Sequence, residues 1–202
     1  MAASTRGTRP SEQIPDGDAC LAALGQLGVA HRSLDQKRGV RTPIVVNGPI
    51  GGLGFWANGQ TPLVCDCRLA VALAWSAPEL ARLGVTGLRF SGAWVYRLAK
   101  TGKLSLHAYG LAIDVHELVV QGSSQSVARD YARGLADGCA PTAPALNRIA
   151  CALRRLGLWK EILTPDFDAD HHDHLHLGLA PLPEAPAHPA TASGSGAPRS
   201  AP

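Results

Sequence analysis

The sequence predicts an α+β domain in which helices pack around a small antiparallel sheet. Helix-like and strand-like segments follow one another without strict alternation, which argues against a parallel doubly wound sheet. Two stretches rich in histidine and aspartate, residues 105–114 and 170–179, have strand-like apolar patterns. The 202 residues, of which 46% are hydrophobic, suffice to bury one core.

Composition and charge exclude several classes of protein. The 22 glycines and 15 prolines are typical of a loop-rich domain. A net charge of +3 without a run of lysine or arginine does not indicate a nucleic-acid partner. No stretch is long and apolar enough to form a transmembrane helix. We therefore expect a protein that binds no nucleic acid and has no transmembrane segment, and we also expect a monomer.

The cysteines favour an extracytoplasmic location, in the periplasm or cell envelope. Residues 1–15 are polar and show no signal peptide, but five cysteines are many for a cytosolic domain of this size. Their odd number leaves at least one thiol unpaired, and the sequence does not choose among the possible disulfides. Cys65 and Cys67 have the spacing of a metal-binding pair, yet no second pair supports that alternative. The five are Cys20, Cys65, Cys67, Cys139 and Cys151.

Capping residues, periodicity and turns predict the elements of the N-terminal half. Asp16 and Asp18 can cap a helix that ends at Gly28, and Ser76 with Glu79 has the spacing of a capping box. The predicted elements, in order, are a helix at 20–27, a strand at 43–46, a glycine-rich loop at 48–59, helices at 67–75 and 76–83, a strand at 88–98 and a hairpin turn at 100–103.

The C-terminal half is predicted by the same rules. Leu146, Ile149, Leu153 and Leu156 lie on one helical face, and Gly157 ends that helix. The predicted elements, in order, are a strand at 111–115, a loop at 121–125, helices at 126–136 and 146–156, and strands at 158–163 and 170–179. The predicted domain is 17–180, between a disordered segment at 1–16 and a disordered tail at 181–202 that is rich in alanine, proline, serine and glycine.

The two histidine-bearing stretches predict one metal site. Asp114 lies in an apolar strand, and a buried carboxylate needs a partner, for which His107 across Gly110 is the nearest candidate. A catalytic zinc takes three protein ligands, and the second stretch can supply the third. There, a period of two places His174 and His176 on one face. The alternatives are a chance His–Asp spacing and a histidine-rich surface patch.

These residues also resemble a known group of proteins. The motifs are similar to the signature of the lysostaphin, D-alanyl-D-alanine metallopeptidase and hedgehog group, and within it to the bacterial extensin-like C-terminal domain family. The resemblance covers about residues 18–180 and implies a hedgehog/D-alanyl-D-alanine-peptidase-like fold. It rests on Ser105–x–His107–x–x–Gly110–x–Ala112–x–Asp114, His174–x–His176, and the looser matches at residues 67–70, 96–97, 138–139 and 162–173.

The resemblance implies roles for individual residues. His107, Asp114 and His176 match the zinc ligands of the group. Asp173 lies where the carboxypeptidases have a glutamate base, but its side chain is one methylene shorter. His174 matches a histidine that lysostaphin-type proteins place near the metal.

Strict strand alternation would turn Asp173 away from the metal unless the strand begins after it. Asp173 is therefore either the base or an acceptor that orients a histidine. The resemblance makes Arg97 the first candidate for binding a substrate carboxylate or the oxyanion, and Arg89 the second. His116, two residues beyond Asp114, could point to the same face, but it is interpreted as a solvated strand end.

The expected function is zinc-dependent hydrolysis of cell-wall peptidoglycan peptides, as a carboxypeptidase or an endopeptidase. Two other functions are kept beside it: a zinc-bearing, non-catalytic cell-wall binding module, and a structural protein of the wall. The first two differ in whether Asp173 or His174 reaches the open position of the metal.

Overall fold

The computed structural model describes residues 10–57 and 62–183 of the chain. Most of the two segments predicted to be disordered, together with residues 58–61, lies outside the described residues. Within the predicted N-terminal segment, Pro10–Gln13 forms a short 3-10 helix. Ile14, which follows it, is 4% exposed and belongs to the hydrophobic core. A short helix and a core residue therefore precede residue 17, where the predicted domain begins.

The first part of the chain builds a small antiparallel sheet beside a helix. The helix α1 is Gly17–Gln26, and the strands are β1 His31–Ser33, β2 Pro43–Val46 and β4 Leu63–Asp66, in the order β1-β2-β4. Both pairings are antiparallel. The predicted helix at 20–27 and the predicted strand at 43–46 are confirmed.

The central helix α2 is a single element, Cys67–Arg82, where the sequence predicts two helices. Asp66 caps it by accepting a hydrogen bond from the Arg68 amide at 3.0 Å. Ser76 does not begin a new helix, because its buried hydroxyl donates to the Ala72 carbonyl at 2.8 Å inside the same helix. Pro78 lies inside this helix, where it cannot donate a backbone hydrogen bond.

The larger sheet carries the histidine-bearing segments. Its strands are β3 Gly54–Ala57, β5 Val85–Gly92, β6 Ala112–Val120, β7 Ser123–Ser126, β8 Glu161–Leu163 and β9 Leu175–Gly178. Their order is β3-β5-β6-β9-β8, with β7 paired to the second half of β6. Only the β3–β5 pair is parallel among these described strands. The architecture is α+β with mainly antiparallel pairing, as predicted.

Several local predictions differ from the structure, mostly where short segments find a strand partner. The predicted loop at 48–59 contains β3, and the predicted loop at 121–125 contains part of β7. Gln121 and Gly122, with φ of 51° and 78°, form a two-residue reversal that pairs β7 with β6. The predicted helix at 126–136 shortens to α3, Val127–Asp130. β5 ends at Gly92, so the predicted hairpin reduces to one bridge between Leu98 and Leu104.

The two long helices cover one face of the larger sheet and leave the other face for polar groups. The second of them is α4, Ala145–Arg155, close to the predicted 146–156. Side chains from α2, α4 and the sheet meet in one apolar layer. That layer includes Leu73, Leu80, Leu153, Val115, Leu118, Leu175 and Leu177. Because strand side chains alternate, Asp114 and His176 leave the sheet on the opposite face.

Two disulfides fasten this core. Cys20–Cys67 joins α1 to α2 across 47 residues, and Cys139–Cys151 ties a loop to α4. Cys65 is a free, buried thiol whose pKa is raised by burial and by the negative charge of Asp66. The pairing is compatible with an extracytoplasmic location. None of the described helices has the length and apolar character needed to cross a membrane.

Protein purified without reductant is expected to show one thiol after denaturation and none that reacts readily while folded, because Cys65 is buried and its thiolate is disfavoured. Thiol counting before denaturation, after denaturation and after reduction tests this. Five thiols in denatured but unreduced protein would contradict both disulfides.

Candidate metal centre

Strand register brings Asp114 and His176 together. In the antiparallel pair β6–β9 these two residues are directly opposite each other, so their side chains leave adjacent backbone positions on the same face. Asp114 Oδ1 lies 2.8 Å from His176 Nδ1. The predicted alternation holds, since Leu175 and Leu177 point into the core and His176 to the other face.

A short turn of helix adds His107 to this pair. Leu106–Tyr109 is a 3-10 helix, and the Ser105 hydroxyl accepts a hydrogen bond from the His107 amide at 3.3 Å. Gly110 then reverses the chain with φ of 65°, and any side chain there would collide with Asp66, whose amide nitrogen would be 2.7 Å from the Cβ. His107 lies in this turn, which contacts β6, and only 1% of its surface is exposed.

The three donor atoms have spacings that suit a tetrahedral ion. His107 Nε2 lies 3.2 Å from Asp114 Oδ1 and 3.2 Å from His176 Nδ1, and the Asp114–His176 distance is 2.8 Å. Ligand atoms about 2.0–2.1 Å from a tetrahedral zinc lie about 3.3 Å from one another. Nδ1 of His107 is buried and has no hydrogen-bond partner in the described part of the chain. Two imidazoles and a carboxylate, termed the triad below, therefore fit a zinc ion.

The charges of the triad are coupled. Burial alone would raise the pKa of Asp114, but hydrogen bonds from His107 and His176 hold it far below its usual range. Burial alone would lower the pKa of His176, yet its hydrogen bonds with Asp114 and Glu161 raise that pKa to about 9. The site thus concentrates negative charge that attracts a proton or a cation.

Glu161 is a site residue that the sequence did not reveal. It lies on β8, beside β9, and its Oε1 is 3.3 Å from His176 Nε2. With Nε2 directed to Glu161 and Nδ1 to Asp114, both nitrogens of the His176 ring have defined partners. No local pattern marks Glu161, because its partner lies on a neighbouring strand.

His174 reaches the triad, and Asp173 reaches His174. His174 Nε2 lies 3.5 Å from Asp114 Oδ1, and its Nδ1 lies 2.8 Å from Asp173 Oδ1. β9 begins at Leu175, so strict alternation does not govern Asp173. The Asp173 carboxylate is also 3.7 Å from His116 Nδ1, so it lies between two imidazoles.

Three further residues are His171, Arg97 and Arg89, of which the two arginines are the predicted candidates for substrate binding. The His171 ring centroid is 5.2 Å from that of His174 and 5.8 Å from that of His176. Arg97 is exposed and makes no ion pair or side-chain hydrogen bond with the triad in the described residues, although its carbonyl accepts from the Ser105 amide at 3.1 Å. Arg89 pairs with Glu117 at 3.3 Å.

His116 is not the solvated strand end that the sequence suggested. It projects from β6 on the same face as Asp114, two residues away, and its side chain is only 18% exposed. It contacts Asp173 and Ser91. A second cluster of His116, Asp173 and His174 therefore lies directly beside the triad.

The family model described as extensin-like protein C-terminus matches residues 18–185. The search of curated proteins finds no match. The search of solved structures finds none either.

Proposed function

The chain belongs to the extensin-like protein C-terminus family, and from this premise we propose that it is a zinc-dependent peptidase of the cell envelope. Its proposed substrates are peptidoglycan peptides, cut in a carboxypeptidase or endopeptidase reaction. The proposal includes a fold relationship to the hedgehog and D-alanyl-D-alanine-peptidase group. The observation that supports it is the proximity of His107, Asp114 and His176 to one another. The Nε2 atom of His174 lies 3.5 Å from the carboxylate of Asp114, which both triad histidines contact.

In this proposal the triad holds the metal and the neighbouring residues handle protons and substrate. When bound, zinc supplies Lewis acidity towards the scissile carbonyl and lowers the pKa of water. His174 Nε2 takes the proton of the attacking water and passes it to the leaving amine. Asp173 accepts the Nδ1–H of His174, which keeps Nε2 available as an acceptor.

We assign the base to His174 and the orienting role to Asp173. The aspartate carboxylate is engaged by His174 at 2.8 Å, whereas His174 Nε2 is the atom directed at the triad. Arg97, at the edge of the motif, is proposed to bind a substrate carboxylate or the oxyanion. Its exposure leaves the guanidinium free to move towards a bound peptide.

Glu161→Ala is expected to weaken zinc binding by about 10–100-fold, the usual effect of removing a partner that orients a ligand histidine. Glu161→Gln is the matched control, because its carbonyl oxygen can still accept from His176 Nε2. Competition titration with a chromophoric chelator measures both affinities. Equal zinc affinities for Glu161→Ala and the unsubstituted protein would remove Glu161 from the site.

The direct test of the function is digestion of purified muropeptides by the protein, with and without a chelator. Cleavage that the chelator stops and added zinc restores is the expected result. Tight zinc binding without cleavage of any muropeptide would instead favour the non-catalytic binding module.

A further inference from the structure

The second cluster repeats the donor set of the triad. His116, Asp173 and His174 each offer one ligand atom, all within 4.8 Å of one another. Asp173 Oδ1 lies 2.8 Å from His174 Nδ1, and its Oδ2 lies 3.7 Å from His116 Nδ1. Two imidazoles and one carboxylate are the donors that suit zinc and related divalent transition metals.

His116 has an orienting partner of its own. Its Nε2 lies 2.7 Å from the Ser91 hydroxyl oxygen, and its Nδ1 lies 3.2 Å from the Asp173 carbonyl oxygen. Because a carbonyl oxygen can only accept, its contact with Nδ1 makes Nδ1 the protonated nitrogen in this structure, and Nε2 accepts from the Ser91 hydroxyl. A cation at Nδ1 requires the other tautomer, in which Nε2–H donates to Ser91 and the Nδ1 lone pair is directed at the cluster. A ligand histidine in proteins is usually held in this way through its second nitrogen.

We propose that His116, Asp173 and His174 form a second site for a divalent transition metal, of the zinc class, weaker than the triad. It is weaker because its side chains are 13–39% exposed and a cation there must displace the hydrogen bond between Asp173 and His174. The triad ligands are more buried, with side chains 2–16% exposed.

Filling the second site has a consequence for hydrolysis, which rests on the proposed function. The cation would bind His174 Nδ1 and the Asp173 carboxylate, and the hydrogen bond between these two groups is what orients the proposed base. His174 would then no longer be held by Asp173. Excess zinc would therefore inhibit an enzyme that needs one zinc for activity, by at least about tenfold, a fraction of what a general base contributes.

Calorimetric titration of zinc into the metal-free full chain tests the site without reference to activity. The expected result is a tight and a weaker equivalent. His116→Ala should lose the weaker equivalent and keep the tight one, whose retention also reports that the variant is folded. Ser91→Ala should weaken the second equivalent by about tenfold, as an orienting partner does. His31→Ala is the control, because His31 lies on β1 and bonds the Val29 carbonyl.

Two results would overturn the second site. One is a single equivalent up to millimolar zinc, and the other is a weaker equivalent that His116→Ala leaves unchanged. If cleavage is observed, its decline in excess zinc should disappear in His116→Ala, measured as the ratio of rates at one equivalent and at excess. If no peptide is cut, the proposed function fails, while the titration still decides the second site.

Discussion

Replacing His107 or His176 with alanine is expected to abolish the tight zinc equivalent, and peptide hydrolysis with it. Each variant leaves two of the three donors that lie 2.8–3.2 Å apart in the triad. Zinc sites with fewer than three protein ligands are rarely retained in proteins. Elemental analysis after dialysis and calorimetry measure the loss. The two variants should lose zinc to the same extent, because each removes one donor of the same triad.

His172→Ala is the matched control for these variants. It belongs to the same histidine-rich stretch, but it is exposed and its Nδ1 bonds the Ala169 carbonyl at 2.9 Å. Its zinc content should equal that of the unsubstituted protein. Because His107 is fully buried, circular dichroism must show that His107→Ala is folded. Unchanged tight binding in both folded ligand variants would refute the triad as a metal site.

His174→Ala is expected to keep the tight zinc and to lower hydrolysis by roughly 10²–10⁴-fold, the usual contribution of a general acid–base group. Its Nε2 lies 3.5 Å from Asp114 Oδ1, yet His174 is not one of the three triad residues. Rates on a muropeptide substrate, measured at one equivalent of zinc, provide the test. A His174→Ala variant with full activity would exclude His174 as the base.

Asp173→Asn separates the two candidates for the base. It should also keep the tight zinc and lower hydrolysis steeply, because asparagine does not hold the His174 tautomer as a carboxylate does. If Asp173 acts through His174, the double variant should be no slower than His174→Ala alone. A further large loss in the double variant, or a steep loss from Asp173→Asn beside an active His174→Ala, would make Asp173 the base.

Features determined by neighbouring residues could be predicted from the sequence alone. α1 and α4 follow from helical spacing and their terminal glycines, and β2 from a short β-branched run. Asp114 was expected to have a partner, because a carboxylate within an apolar strand is costly to bury unpaired. The structure provides that partner, with His107 3.2 Å away. Local signals of this kind depend on one segment and do not require knowledge of its neighbours.

Features that depend on segments distant in the sequence were decided only by the tertiary structure. The segments of β3 and β7 were predicted to be loops, but each pairs with a neighbouring strand. The segment of α2 was predicted to form two helices, but it is one helix whose residues are largely buried in the core. The register of β6 against β9 set Asp114 opposite His176, and β8 placed Glu161 against the same ring. The beginning of β9 at Leu175 freed Asp173 to contact His174 and His116. The physical reason is that a strand exposes half of its hydrogen-bonding groups to a neighbour, so its position and its side-chain contacts depend on which segment pairs with it.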